Sequence, residues 1–223
     1  MATDTISAPP GRRLDEIDEQ VIRLFARVHS GLAAATAAFL DCDRDTARAL
    51  VAEDQLIDSL QASIEELVQR RLAQLLPLGD PDVWRLVSIL LIVPELERSG
   101  DLVEHIALRT PQGLARVITG RARGLIEEMS RIGVELWRLA ADAYADHDLD
   151  AAERLRTLDD ELDDLHVDLS AELAQASMSN AVAIEMGLVA RFYECLGDHA
   201  VNVTKRVRDL GHPPAVAVQG ATI

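Results

Sequence analysis

The stretch Asp41–Ile64, DCDRDTARALVAEDQLIDSLQASI, occurs twice in the chain, and that repetition governs the reading of everything around it. Displaced by 105 residues without a gap, it falls on Asp146–Leu169, DHDLDAAERLRTLDDELDDLHVDL, where Asp41, Asp43, Asp45, Ala47, Leu50, Asp54, Asp58 and Leu60 all meet identical residues. Self-similarity at one fixed displacement is the signature of a duplicated structural unit. A second match, displaced by 97, sets Glu97-Arg98-Ser99-Gly100-Asp101 on Glu194-Cys195-Leu196-Gly197-Asp198. The drop from 105 to 97 makes the second half shorter between its last two elements, which places the surplus at Leu76–Pro81.

The repeated unit reads as helical. Leu14, Ile17, Val21, Leu24, Phe25, Val28 and Leu32 recur at three- and four-residue intervals, which is one stripe of an α-helix and not the alternation of a strand. Aromatic residues make up only 3% of 223, while Ala, Leu, Arg, Asp and Glu dominate, so helix formers outweigh strand formers. Breakers then divide the chain into six helices, over about Arg12–Leu40, Thr46–Leu75, Pro81–Leu108, Pro111–Ala145, Ala151–Ala176 and Asn180–Leu210. Asp80-Pro81 and Thr110-Pro111 each supply a capping side chain and a proline whose fixed φ suits a first helical turn. The expected architecture is all-α: six long helices forming two tandem homologous three-helix bundles, residues 12–110 and 111–210. Flexible tails are expected at 1–11 and 211–223.

Composition excludes several roles. The 38 acidic residues outweigh 22 basic ones, and a net charge of −16 repels nucleic acid over most of the surface. The two cysteines, Cys42 and Cys195, lie far apart and form no CxxC, which argues against a disulfide framework or a thiolate zinc site and fits a reducing cytoplasm. No apolar stretch approaches a membrane span, so direct membrane insertion is not expected. Lys205 is the only lysine and no glycine precedes it, so the phosphate-binding GxxxxGK[ST] loop is missing. There is no HExxH and no GxSxG either, and the expected class is a non-enzyme with no catalytic residues.

The duplicated carboxylates carry the chemistry. Asp54/Asp58 and Glu97/Asp101 in the first half, and Asp159/Asp163 and Glu194/Asp198 in the second, are acidic pairs at i, i+4, hence side by side on one helix face. If the second and third helices of each bundle face these pairs toward one another, four like charges converge, a cost that bound cations offset. A single such pair in an acidic chain is ordinarily a solvated face; four pairs in matched register favour metal ligation. Oxygen-only ligation suits iron, manganese, magnesium or calcium, with zinc admissible. Gly100 and Gly197 precede the last carboxylate of each set, where helix propensity disfavours glycine by about 1 kcal/mol relative to alanine. Close helix contact or metal access would call for them.

Two segments, ELERSGDLVEHIA (Glu95–Ala107) and FYECLGDHAVNV (Phe192–Val203), resemble the signature segments of the phosphate-uptake regulator family, PhoU, with its paired E(D)xxxD motifs. The resemblance extends over about Arg12–Leu210 and implies that family's duplicated three-helix fold. It also implies metal ligands at Asp54, Asp58, Glu97, Asp101, Asp159, Asp163, Glu194 and Asp198, holding clusters of iron or zinc, with manganese or magnesium as alternatives. The chain departs from the family at Cys195, where arginine is usual, at Ser99, where isoleucine is usual, and at Leu102-Val103-Glu104-His105.

The function the resemblance implies is regulation of phosphate uptake and phosphate-starvation signalling. The chain would act as an adaptor between the ATPase of a phosphate ABC transporter and a phosphate-sensing histidine kinase. It would be cytoplasmic, peripheral to the inner membrane through those protein partners, and a homodimer is compatible with the sequence. The alternatives are an accessory subunit of a low-affinity phosphate permease and a carboxylate-bridged metal-storage bundle. The latter is weakened because Glu97 and Glu194 are followed at i+3 by Gly100 and Gly197 instead of histidine. His199 and His166 are read as non-ligands, Cys195 as an inert packed thiol, Trp84 and Trp137 as core, and Arg116, Arg121 and Arg123 as a solvated face. Pro94, inside the third helix, is expected to kink it.

Overall fold

The computed structural model describes residues 10–75, 81–148, 150–208 and 210, and among these no residue lies in a strand. Six α-helices follow in order: α1 Pro10–Asp41, α2 Arg44–Leu72, α3 Pro81–Ala107, α4 Gly120–Asp146, α5 Ala151–Gln175 and α6 Asn180–Arg208. Of the expected tails, residues 1–9 and 211–223 lie outside the described residues, and Pro10 and Gly11 already belong to α1. Most of the Leu76–Pro81 connection is likewise outside them.

The repeat is visible down to single backbone angles. Cys42 and His147, matched at the 105 displacement, both adopt left-handed conformations, with φ of 57° and 53°. The amide after each closes back onto the preceding helix, Asp43 N–H to Ala38 O at 2.9 Å and Asp148 N–H to Ala143 O at 3.0 Å. Asp43 then caps α2: its carboxylate accepts from the Asp45 and Thr46 amides at 3.0 and 3.2 Å, satisfying donors that the first turn leaves unpaired.

Helix four corrects the sequence reading. Thr110-Pro111 opens a short 3-10 turn, Thr110–Gln112, not an α-helix. Gly113 follows with φ +68°, a left-handed conformation that suits glycine, and a second 3-10 turn occupies Leu114–Arg116. The helix begins only after Thr119, whose hydroxyl accepts from Ala122 N–H at 3.0 Å and donates to Glu172 at 2.6 Å. A proline suits a first turn of either helix type; what ends the 3-10 turn is the left-handed glycine two residues later. α3 runs unbroken through Pro94.

Four helices form a ring. α1 packs on α3, α3 on α6, α6 on α4 and α4 on α1, while α2 lies on α1 and α3, and α5 on α4 and α6. Neighbours from opposite halves run antiparallel. Arg123 of α4 donates to Leu40 O at the end of α1 (2.8 Å), and Tyr144 donates to Asp18 near its start (2.7 Å). Between α3 and α6, Arg109 pairs with Glu185 at 3.1 Å and Ser99 meets His199 at 3.0 Å. The two halves are thus related by an approximate two-fold axis passing near Ser99 and His199.

The ring encloses the core. Trp137, Tyr144, Tyr193, Phe25 and Phe39 are fully buried, as expected for Trp137, whereas Trp84 is only half-buried. A polar knot ties three ring helices inside this apolar setting. The Thr36 hydroxyl donates to Leu32 O (2.8 Å) and therefore accepts from both Tyr193 OH (2.6 Å) and the Ser130 hydroxyl (2.9 Å). Each hydroxyl finds a partner, as burial demands. Arg123 departs from the expected solvated face: it bonds Leu40 O and Asp41, joining the halves.

Candidate functional site

The outer grooves α2/α3 and α5/α6 hold the paired carboxylates. α2 is amphipathic with a narrow buried stripe, Ala47, Ile57, Ile64 and Val68. Asp54 and Asp58 flank Ile57 on its edge, Asp54 half-buried and Asp58 exposed. Across the groove α3 presents Glu97 and Asp101, both half-buried. In the second half Asp159 and Glu194 are half-buried and Asp163 and Asp198 exposed. Each set of four comes within mutual electrostatic reach.

Burial first, then the charges of Glu104, Asp101 and Asp58, push Asp54 up to about 6 from its ordinary 3.8. Burial, followed by Asp163, Asp198, Asp160 and Glu194, does the same to Asp159. Glu97 and Asp163 are raised as well, chiefly by burial and then by neighbouring carboxylates, and Asp101 by burial and Asp58 against the opposing pull of His105. Two oxygens, Asp54 Oδ1 and Glu194 Oε2, are buried without a hydrogen-bond partner. Glu194 pairs through its other oxygen with Arg191, one turn away on its own helix, and its carboxylate also meets the Cys195 thiol. Such orphaned, crowded carboxylate oxygens suit a hard cation chemically. Among the described residues, however, no three acidic, histidine or cysteine side chains stand together as a ready ligand set. The repulsion is present; a closed coordination shell is not.

The glycines acquire a physical reason. A Cβ on Gly197 would sit 2.5 Å from Asp159 Oδ1 and 2.8 Å from Leu162 Cδ2, so the missing side chain makes room for the carboxylate itself. At Gly100 the same atom would meet Ile57 Cδ1 at 2.7 Å, which makes it a point of close helix contact. Ile57 and Leu162 are matched at the 105 displacement, so both glycines serve one packing arrangement.

One participant escaped the sequence reading. Glu104, one turn beyond Asp101, is the carboxylate whose charge acts most on Asp54. Its counterpart in the second half is Val201, so an argument from duplicated residues passes over it. His199 is partly buried, bonded to Ser99 across the α3/α6 seam, and burial lowers its pKa. His166 is half-buried and lies close enough to lower the pKa of Asp163, partly offsetting the raising effects. Burial raises the Cys195 thiol, in keeping with a packed and unreactive cysteine.

A family model described as the PhoU domain matches residues 21–110 and 126–207. The chain belongs to the PhoU family. A Mycobacterium tuberculosis protein called phosphate-specific transport system accessory protein PhoU homolog 2 is 31% identical over 201 residues, 87% of this chain and 92% of that protein. The crystal structure of PhoU from Pseudomonas aeruginosa superposes with a TM-score of 0.81 at 24% identity, covering 88% of this chain and 96% of that one. The phosphate transport system regulatory protein PhoU from Streptococcus pneumoniae gives 0.80 at 22%, covering 89% and 95%. The fold is therefore that of PhoU proteins. Within it, the departure at Ser99 has a local reason: the hydroxyl is buried and is the partner of His199.

The raised carboxylates give a pH prediction. Asp54 and Asp159 keep their protons up to about pH 6 in the native chain but release them near 3.8 when unfolded. The native state binds more protons between those values, so their contribution to stability is fullest below 3.8 and is lost as pH rises through about 6. Allowing for solvent screening, each is worth on the order of 1 kcal/mol. The melting temperature of metal-free protein is expected to be higher at about pH 5 than at about pH 7.5, and Asp54→Asn with Asp159→Asn to flatten that difference. An unchanged pH profile in the double variant would refute the assignment.

Proposed function

We propose that this chain regulates phosphate uptake and phosphate-starvation signalling as a non-enzymatic, metal-binding adaptor between the ATPase of a phosphate ABC transporter and its sensor kinase. Membership of the PhoU family, whose relatives are named as accessory proteins of phosphate-specific transport, is the observation that carries this reading. Among the described residues no helix is long and apolar enough to cross a membrane, which agrees with a cytoplasmic protein brought to the membrane by protein partners.

Asp54, Asp58, Glu97 and Asp101 would hold one metal site, and Asp159, Asp163, Glu194 and Asp198 the other, with Glu104 at the edge of the first. Iron or zinc, or failing these manganese or magnesium, would neutralise the carboxylates that otherwise repel. The chain's own contribution is positional. Asp54 and Asp159 are held half-buried, which strips them of part of their water, and the glycine opposite Asp159 leaves its oxygen room.

Two measurements test this. Deleting the gene is expected to switch on phosphate-starvation reporters in phosphate-rich medium; maintained repression would refute the regulatory role. Elemental analysis of the purified Glu194→Ala, Asp198→Ala double variant is expected to show about half the metal of the wild type, because the first site is untouched. Equal metal content in the two proteins would remove the ligand assignment from the second half.

A further inference from the structure

α1, α2, α4 and α5 make up one face of the molecule. Because α2 packs on α1 and α3, and α5 on α4 and α6, the order across that face is α2, α1, α4, α5, and the α2/α3 and α5/α6 grooves open on the other. Two grooves run along it, one of about 640 Å³ between α1 and α2 and one of about 460 Å³ between α4 and α5. They are copies of each other: the 105 displacement sets Arg27 on Ile132 and Leu60 on Leu165. Their charge is inverted. Arg23, Ser30, Leu56 and Ser59 at the first correspond to Glu128, Glu135, Glu161 and Asp164 around the second, so carboxylates stand where the first groove has a base, hydroxyls or an aliphatic.

Charges of the other sign are present at each groove, and each is paired there. Glu53 meets Arg27 at 3.6 Å in the first. Around the second, Arg131 meets Glu128 at 2.7 Å, Arg138 meets Glu135 at 2.6 Å and Arg121 meets Asp168 at 3.9 Å. Setting these pairs aside leaves Arg23 in the first groove and Glu161 and Asp164 in the second. All three are exposed, and among the described residues none has a hydrogen bond or an ion pair; Glu161 feels Arg131 only at longer range. Glu19, one turn before Arg23, is exposed as well but does not line the groove. Each groove also keeps an uncovered aliphatic side chain, Leu56 at 47% and Val167 at 65% exposed. The leftover charges are thus opposite in sign, and apolar surface lies beside both.

The approximate two-fold within the chain relates the grooves and so fixes how a second copy would sit. Turned over about an axis lying in the face, at right angles to the line joining the grooves, the copy lays its acidic groove on the basic one. The same rotation lays its basic groove on the acidic one, so both contacts close together and no surface is left to propagate a filament. Pairing like groove with like would instead set Arg23 beside Arg23 and Asp164 beside Asp164. We propose that this face is the interface of a homodimer in which the α1/α2 groove of each chain receives the α4/α5 groove of the other. Arg23 of one chain then meets Asp164 and Glu161 of its partner, twice per dimer, and Leu56 and Val167 are covered. Both carboxylate sets stay open on the opposite face, so the dimer is independent of the adaptor reading.

Sedimentation velocity on the full-length chain tests this by exchanging charges. The wild type is expected to be a dimer at about 100 μM in about 50 mM salt and to dissociate as salt rises. Arg23→Glu and Asp164→Arg each bring like charges together at both contacts and weaken the dimer about 100-fold. Arg23→Glu with Asp164→Arg in one chain exchanges the two signs and restores the affinity to within about tenfold of wild type. Both positions are exposed, and thermal melts establish that all variants are folded. A wild type that stays monomeric, a dimer that survives either single reversal, or a double variant no tighter than the singles overturns the proposal. The adaptor reading stands or falls separately, on the starvation reporters.

Discussion

Trp137→Ala is expected to lower stability by about 3–5 kcal/mol, the largest loss of any single substitution considered for this chain. The indole is fully buried on α4 and lies against Phe25 of α1, ring centroids 6.2 Å apart, where the two halves meet. Truncation removes a large apolar area and leaves a cavity that two long helices cannot close, since Phe25 is also held by Tyr144 at 5.5 Å. The indole Nε1 is buried without a hydrogen-bond partner, so no polar contact is lost and Trp137→Phe should cost markedly less. Trp84 provides the comparison: half-buried, its alanine variant should lose well under half as much. Denaturant unfolding of the three variants checks this, and a Trp137→Ala loss no greater than that of Trp84→Ala would show that the seam between the halves is not where the packing energy lies.

Gly197→Ala is expected to destabilise the chain by about 1–2 kcal/mol even though alanine is worth about 1 kcal/mol more than glycine inside a helix. The new methyl would lie 2.5 Å from Asp159 Oδ1 and 2.8 Å from Leu162 Cδ2, and both contacts have to open. Moving the carboxylate shifts the group that burial and its acidic neighbours push up to about 6, so bound metal should fall there along with stability. Gly100→Ala meets the buried, β-branched Ile57 at Cδ1 (2.7 Å) and Cγ2 (3.2 Å) and should also destabilise, but it displaces no carboxylate and should leave bound metal unchanged. Metal content distinguishes the two variants, and melting temperature checks that both are destabilised. Equal metal content would mean that the close approach to Asp159 has no consequence for the site.

The repeat made the helix count, the positions of most helix ends and the pairing of α2 with α3 and α5 with α6 legible, because apolar spacing shows which face of a helix is buried. It does not show which helix covers that face. The closure of α1, α3, α6 and α4 into a ring depends on contacts between halves: Thr36 with Ser130 and Tyr193, Asp18 with Tyr144, and Arg123 with Leu40. None of these joins residues matched by the duplication, so the repeat could not reveal them. The start of α4 was misplaced because a capping threonine before proline reads alike for a 3-10 turn and an α-helix, and only the backbone angle at Gly113 separates them. At the candidate site the eight carboxylates could be named from their spacing. The role of Glu104 could not, and neither could the burial that sets Asp54 and Asp159 apart from their exposed partners.

The flanking position of α2 and α5 carries a consequence for motion. α2 buries four residues and α5 five, against eleven on each of α4 and α6, and each flanking helix leans mainly on the two ring helices of its own half. Local opening should therefore require the least free energy at these two helices, and their backbone amides should exchange with solvent before those of the ring. The same two helices supply Asp54, Asp58, Asp159 and Asp163. Any ion bridging them to α3 or α6 would act as a clasp on the most loosely held parts of the protein, and amide exchange along α2 and α5 would slow as it closed.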